Sequence, residues 1–137
     1  MFRSLGGRHF GLAWAYHSLG ETELGLGKLA EATRWLAQGL TISQTLGDQA
    51  SIAWCLAGLG SAAALNEAPE RAARLWGAAE SLRQRIGCRP APAARATYER
   101  AMDAAHAQIG DDALAMAWAE GRAMTLEQAI AEALDEA

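Results

Sequence analysis

The 137-residue sequence contains no valine and only five isoleucines, whereas it contains 33 alanines. Strands draw on β-branched residues and alanine is the strongest helix former, so this imbalance predicts an all-α protein. Only two cysteines are present, Cys55 and Cys88, which excludes a disulfide framework and predicts reduced thiols in a cytoplasmic chain. Basic residues are also scarce: the formal net charge is −4, which argues against direct binding of nucleic acid.

Long hydrophobic runs and catalytic motifs are missing as well. No apolar run reaches the roughly 18 residues that a membrane helix needs, and residues 1–10 lack the apolar core of a secretory signal. The sequence has no G-x-x-x-x-G-K-[ST] loop, and its three histidines form no zinc motif. We therefore expect a cytoplasmic protein with no membrane segment, no metal and no cofactor, and we do not expect an enzyme.

The chain resembles itself at a shift of 40 residues. A tryptophan and a Leu-Gly pair coincide in the two units: Trp14 with Trp54, and Leu19-Gly20 with Leu59-Gly60. Apolar residues at helical spacing predict two helices in each unit, and their wide apolar stripes need neighbours on more than one side, as in a solenoid. We predict a single domain over 1–137 with about seven helices. Its parts are a first repeat over 8–47, a second over 48–87 and divergent capping helices over 92–136.

Each unit resembles the tetratricopeptide repeat, whose pattern is W-x2-L-G-x2-Y, then A-x3-F, then P. The matching residues are Tyr16, Leu19-Gly20, Ala32 and Leu36 in the first unit, and Leu56, Leu59-Gly60, Ala72 and Trp76 in the second. The closing proline is replaced by Gln44 and Gln84, and the period is 40 rather than about 34 residues. The resemblance implies a right-handed solenoid of antiparallel helix hairpins.

A narrower resemblance covers the second half of the chain. Residues 71–80, 98–100 and 117–122 are similar to the carboxyl-terminal end of bacterial LuxR-type and STAND NTPase transcriptional regulators, and of related adenylate cyclase-like proteins. In that family the effector domains lie upstream of a helical-repeat tail. The resemblance implies a non-enzymatic interaction or sensor module at the carboxyl-terminal end of a signalling regulator. Its partner would be a protein, a peptide or the upstream domains of the same polypeptide.

The first helix of each tetratricopeptide pair lines a concave groove for an extended peptide. The motif register places seven residues at this groove: Trp14, His17, Glu21, Leu24, Trp54, Ala57 and Ser61. Two tryptophans at equivalent positions predict an aromatic trough of the kind that anchors a partner. The alternative, that both tryptophans are buried by a neighbouring helix, is equally compatible with the sequence. His17 and Glu21 are interpreted as an ordinary helical pair rather than a metal site.

Basic residues concentrate in one stretch of the chain, at Arg83, Arg85, Arg89, Arg95 and Arg100. The favoured interpretation is that Arg83 and Arg85 complement a helix carboxyl terminus while the others are solvated. The alternative is a landing site for an acidic segment of a partner. Two other functions remain open: a sensor whose aromatic groove accepts a small molecule, and self-association into a homodimer through the exposed flank of the first helix.

Overall fold

The computed structural model is all-α. It describes the backbone of residues 2–135 and the side chains of residues 11–92 and 94–135. This part of the chain contains six α-helices, one 3-10 turn and no strand. The helices are α1 (Phe2–Gly25), α2 (Leu29–Leu46), α3 (Gln49–Leu65), α4 (Pro69–Ile86), α5 (Arg95–Ala123) and α6 (Leu126–Leu134), and the 3-10 turn is Pro92–Ala94. The ends of the predicted ranges, Met1, Glu136 and Ala137, lie outside the described residues.

Local chemistry accounts for most of the helix ends. α2 and α4 each stop at a glycine in the left-handed region, with φ of 71° at Gly47 and 68° at Gly87. The Asp48 carboxylate accepts a hydrogen bond from the backbone N–H of Ser51 at 3.2 Å and so caps α3. Pro69 occupies the first turn of α4, where its missing N–H costs nothing.

The first four helices form two hairpins with matching ends. α2 and α4 have equal lengths and begin 40 residues apart, and the carboxyl ends of α1 and α3 are also 40 residues apart. The close approaches recur at the same separation, because a Cβ at Gly20 would meet the Leu36 side chain and a Cβ at Gly60 would meet the Trp76 ring. Consecutive helices from α1 to α5 pack against each other, and α3 also contacts α1 and α5.

The sequence predicts a break between two helices at Gly110, and the structure has two helical parts that meet there, within the range given for α5. Gly110 has φ 78° and ψ 175°, a non-helical conformation that glycine adopts readily. Gly110 alone separates the two parts, so no loop lies between them. The described residues therefore form six α-helices, the fifth of which is divided at Gly110.

The last two helices return onto the earlier ones. α5 packs against α4 at a crossing of two glycines: a Cβ at Gly77 would overlap the backbone of Trp118, and a Cβ at Gly121 would overlap the backbone of Arg74. α6 folds back over α4, with further contacts to α3 and α2. Arg74 pairs there with Glu132 at 2.6 Å.

The core consists of two clusters that meet at α3 and α4. The first is rich in leucine and joins α1 to α4 with α6, whereas the second is mostly alanine around the Trp76 ring and joins α3, α4 and α5. Small residues surround Trp76, and Gly60 lets its ring approach α3 closely. No helix in the described part of the chain combines the length and apolarity needed to cross a bilayer.

Candidate ligand-binding cavity

A cavity of about 550 Å³ lies between α1, α3, α4, α5 and the segment that connects α4 to α5. Pockets that hold drug-sized ligands fall in the range of roughly 300–1,000 Å³. The wall is largely aromatic, with Trp54, Trp76, Tyr98 and Trp118 among its residues. We name it the aromatic cavity. Residues from all three regions of the chain, both hairpins and the carboxyl-terminal part, are needed to enclose it.

One group of rings comes from α1 and α3. The His17 ring centroid lies 5.8 Å from that of Trp54 and 6.1 Å from that of Trp14. Trp14 and Trp54 meet edge to face, with centroids 5.9 Å apart. Trp54 and His17 line the cavity, whereas Trp14 lies outside it and is 53% exposed. The tryptophans that coincide at the 40-residue shift are therefore in contact, but only one of them faces the cavity.

A second group of rings comes from α4 and α5. The Trp76 centroid lies 5.4 Å from that of Tyr98 and 5.9 Å from that of Trp118. The indole N–H of Trp76 donates to the carbonyl oxygen of Ala57 at 3.2 Å, and that of Trp118 donates to the Glu80 carboxylate at 3.1 Å. Because these donors already have partners, the two indoles offer apolar ring surface to the cavity.

The segment between α4 and α5 covers one side of the cavity. Arg89, Pro90, Ala91 and Pro92 all line it. The indole N–H of Trp54 donates to the carbonyl oxygen of Arg89 at 2.9 Å, which ties this segment to α3. The prolines resist helical geometry in the residues before them, so the segment crosses the cavity in an extended form.

His17 is the most unusual polar residue of the wall. It is 3% exposed, and neither ring nitrogen has a hydrogen-bond partner among the described residues. The nearest acid is Glu21, whose Oε1 lies 3.8 Å from Nε2. Burial lowers the pKa of His17 to about 4, so the ring is neutral at physiological pH, with one donor and one acceptor unused. Leaving buried polar atoms unpaired costs about 1–3 kcal/mol each.

Glu21 lies one helical turn beyond His17 and is also buried. Burial raises the pKa of its carboxyl from 4.5 to about 7. A Cβ at Gly58 of α3 would approach Glu21 Oε1 to 2.8 Å, so the glycine leaves room for the carboxyl group. The signal for this close approach in the sequence is Gly58, a glycine in the interior of a predicted helix.

Arginines stand at the rim of the cavity. Arg83 is half-buried in the last turn of α4, and Arg89 and Arg95 are exposed, and all three line the cavity. Arg95 pairs with Glu99 at 3.0 Å. Over residues 11–92 and 94–135, the guanidinium groups of Arg83 and Arg89 form no ion pair.

The structure brings together five of the seven residues predicted for the groove. His17, Glu21, Trp54, Ala57 and Ser61 line the aromatic cavity. The other two lie elsewhere: Trp14 is outside the wall, and Leu24 is fully buried in the leucine-rich core.

Leu24 shares a helix face with His17 but not its surroundings. The start of α5 packs on the carboxyl end of α1, where Arg100 donates to the carbonyl oxygen of Leu24 at 3.4 Å. Of the five predicted basic residues, Arg100 is thus bound to α1 and Arg85 is exposed away from the cavity. The other three form the rim.

Three aromatic residues of the wall were missing from the predicted site. They are Trp76, Tyr98 and Trp118. Trp76 is 2% exposed and does belong to the core, yet one part of its surface faces the cavity. A position on an inner stripe does not show whether the interior is filled, so the sequence held no direct signal for this wall.

Cys55 of α3 does not line the aromatic cavity. Cys55 is fully buried, and burial, with smaller contributions from the charges of Glu21 and Asp48, raises the pKa of its thiol to about 12. A thiol held in this state is a poor nucleophile. Within the described residues, no three histidine, cysteine or acidic side chains are grouped as metal ligands would be.

No protein-family model, curated protein or solved structure matches the chain. The resemblance to tetratricopeptide proteins therefore stays a prediction from the sequence. Any function has to be argued from the geometry of the aromatic cavity.

Proposed function

We propose that this chain is a non-enzymatic sensor module that binds a small organic ligand in the aromatic cavity. The observation that carries this proposal is a cavity of about 550 Å³ with a wall of indole rings and a buried, unpartnered His17. Largely apolar cavities with a few convergent polar groups are the usual form of small-molecule sites. A ligand that hydrogen-bonds to His17 would remove the cost of its unused ring nitrogens.

The cover over the cavity favours a small ligand over an extended peptide. A peptide that runs along a groove needs an open path at both ends. Here the connecting segment is tied to α3 by the bond from Trp54 to Arg89, and the start of α5 packs on the end of α1. The predicted role as a protein or peptide groove is therefore less well supported at this place than the sensor role.

Ligand binding at this place would couple distant parts of the chain. α1 supplies His17 and Glu21, while α5 supplies Tyr98 and Trp118. A ligand that contacts both helices binds the folded arrangement alone and stabilises it by mass action. Such coupling is what a sensor needs in order to relay occupancy to another domain.

The finer fold and the setting are part of the same proposal. We take the chain to be a helix-hairpin solenoid with repeats over 8–47 and 48–87 and a cap over 92–136, in the cytoplasmic tail of a signalling regulator. The matching hairpin ends and the repeated glycine contacts support the two repeats. The return of α6 over α2, α3 and α4 supports a cap rather than a third repeat.

The proposal is tested with two naphthalene dyes that fluoresce in apolar sites, N-phenyl-1-naphthylamine and 1-anilinonaphthalene-8-sulfonate. We expect saturable binding of at least one dye to the wild-type protein. Ala57→Leu, which places a larger side chain in the cavity, should weaken that binding by about tenfold or more. The matched control is Ala115→Leu on the exposed face of α5, which should bind as the wild type does. Failure of both dyes to bind, or equal binding to Ala57→Leu, contradicts the proposal.

Self-association is a second candidate, favoured by the exposed flank of α1. Leu12 and Leu19 on α1 and Leu26 just beyond its end are exposed and recur every seven residues. This spacing is typical of a helix that packs along a second helix, and the occupant proposed is α1 of a second copy. Sedimentation should then show a dimer that the double substitution Leu12→Glu and Leu19→Glu dissociates. A monomer at high concentration removes this candidate.

A further inference from the structure

The polar groups of the aromatic cavity differ between its interior and its rim. The interior has the buried pair His17 and Glu21 and the half-buried Tyr98 as ionisable groups, together with indole faces whose N–H donors are occupied. The rim has Arg83 and Arg89. A ligand that fills the cavity therefore meets an apolar environment along most of its length and positive charge at its outer end.

The positive charge of the rim is not balanced within the described residues. Arg95 and Glu99 neutralise each other, because their side chains pair at 3.0 Å. Arg83 and Arg89 form no such pair in the part of the chain that the structure describes. The whole chain has a formal net charge of −4, so two uncompensated arginines at one opening are a local departure from its average.

A third donor, the hydroxyl of Tyr98, lines the same cavity as Arg83. Burial raises the pKa of this phenol, so the hydroxyl keeps its proton at physiological pH. The Tyr98 hydroxyl makes no hydrogen bond to any described residue, so it is available to a ligand. A guanidinium and an unpartnered hydroxyl in the wall of one cavity suit an oxyanion, since charge-assisted hydrogen bonds are the stronger kind.

We infer that the ligand is an organic anion with a flat apolar body. Its carboxylate, sulfonate or phosphate group lies at the rim between Arg83 and Arg89, and its body packs among the rings of Trp54 and Trp76. This inference rests on the proposed function, because it specifies the ligand of the same cavity.

An organic cation is the competing ligand, because indole rings attract cations and Glu21 could supply a negative charge. Two observations disfavour it. Burial favours the neutral form of the Glu21 carboxyl, so it is not a full counter-ion at neutral pH. The guanidinium groups at the opening are cations and repel a cation that enters.

The two naphthalene dyes test this inference because they share an aromatic skeleton and differ in one sulfonate. We expect the wild-type protein to bind the sulfonated dye at least about tenfold more tightly than the neutral one. Arg83→Gln and Arg89→Gln should each reduce that preference by roughly five- to tenfold and leave the affinity for the neutral dye unchanged. Added salt should weaken only the binding of the sulfonated dye.

The matched control for charge is Arg85→Gln. Arg85 lies in the same turn of α4 as Arg83, is exposed and does not line the cavity. The substitution Arg85→Gln should leave the binding of both dyes unchanged. An equal loss in Arg85→Gln would mean that the sulfonate is attracted by general charge, which overturns the inference. Unchanged circular dichroism of each variant shows that it has folded.

The outcomes separate this inference from the proposed function. Binding of the neutral dye as tightly as the sulfonated dye, with the loss in Ala57→Leu, overturns the anion and keeps the sensor. If thioflavin T, a cationic dye, binds more tightly than the sulfonated dye and loses that binding in Ala57→Leu, the proposed anion is also overturned and the sensor function is kept. Absence of binding by both naphthalene dyes contradicts the proposed function, and the inference falls with it.

Discussion

Replacing Gly121 with alanine is expected to destabilise this protein, although alanine is the better helix former. Gly121 of α5 faces the backbone of α4, where an added methyl group would overlap the carbonyl oxygen of Arg74. A backbone atom cannot rotate aside as the end of a flexible side chain can. α5 would therefore have to move away from α4 and strain the contact of Gly77 with Trp118 in the same crossing.

The sign of the effect follows from two opposing contributions. Alanine is favoured over glycine by about 1 kcal/mol in a helix interior. Overpacking a closely packed site costs typically about 1–3 kcal/mol, and the upper part of that range applies where the obstacle is backbone. Displacement of α5 would also loosen the hydrogen bonds from Trp118 and Arg122 to Glu80. We expect a net loss of about 1–2 kcal/mol in the free energy of unfolding.

Gly11→Ala is the matched control. Gly11 lies in α1, is exposed, and has no atom of the described side chains within 4 Å of an added Cβ. Only helix propensity applies there, so the free energy of unfolding of this variant should rise by about 0.5–1 kcal/mol. Urea unfolding followed by far-ultraviolet circular dichroism measures both variants. A Gly121→Ala variant as stable as the wild type would show that α4 and α5 do not approach as closely as the structure has them.

Three further predictions concern the pH dependence of stability, thiol reactivity and a helix cap. Burial raises the pKa of Glu21 from 4.5 to about 7, so the free-energy cost of holding this carboxyl in the folded state grows as pH rises from 4.5 to 7. Glu21→Gln should therefore be more stable than the wild type by up to ~3 kcal/mol at pH 8 and equal to it at pH 4; a difference independent of pH contradicts this. Dithionitrobenzoate should titrate Cys88 alone in the folded protein and Cys55 only after unfolding, because Cys55 is fully buried; two thiols in the folded state would refute it. Thr125→Ala should cost about 1 kcal/mol in urea unfolding, because the Thr125 hydroxyl accepts from the backbone N–H of Gln128 in a capping box, and Thr125→Ser should retain most of that stability.

Burial shifts the pKa values of His17 and Glu21 in opposite directions. The pKa of His17 falls from 6.5 to about 4, so its contribution to stability is present above pH 6.5 and is lost as pH falls through 4. The raised pKa of Glu21 has the reverse effect, since its contribution is present below pH 4.5 and is lost as pH rises through 7. Between pH 4.5 and pH 6.5 the two groups change the free energy of unfolding of the wild type in opposite directions. Each effect is therefore measured in a variant in which the other group has been substituted.

The helix ends were predictable because capping is local. Gly47, Gly87 and Asp48 end or begin helices through contacts within four residues of themselves, and the structure has them in those roles. The bend at Gly110 shows the limit of this reasoning. A glycine followed by acidic residues signals a new helix start, but the sequence does not tell whether a loop or only a kink separates the two helices.

The site was predictable on one side only. His17, Glu21 and Trp54 follow from helix register within the two hairpins. The opposite wall comes from Tyr98 and Trp118, which reach the cavity through the return of α5 onto α4. That return depends on glycine contacts between segments more than 40 residues apart, which no local pattern reveals.

Local interactions suffice to make the chain helical, to end most of its helices and to place polar groups on one face of α1, because propensity, capping and periodicity act over a few residues. Packing between distant helices is what makes the face with His17 and Glu21 enclose a cavity while Leu24 on the same helix lies in the core. Burial, and with it the pKa of an ionisable group, depends on which distant helix covers each turn.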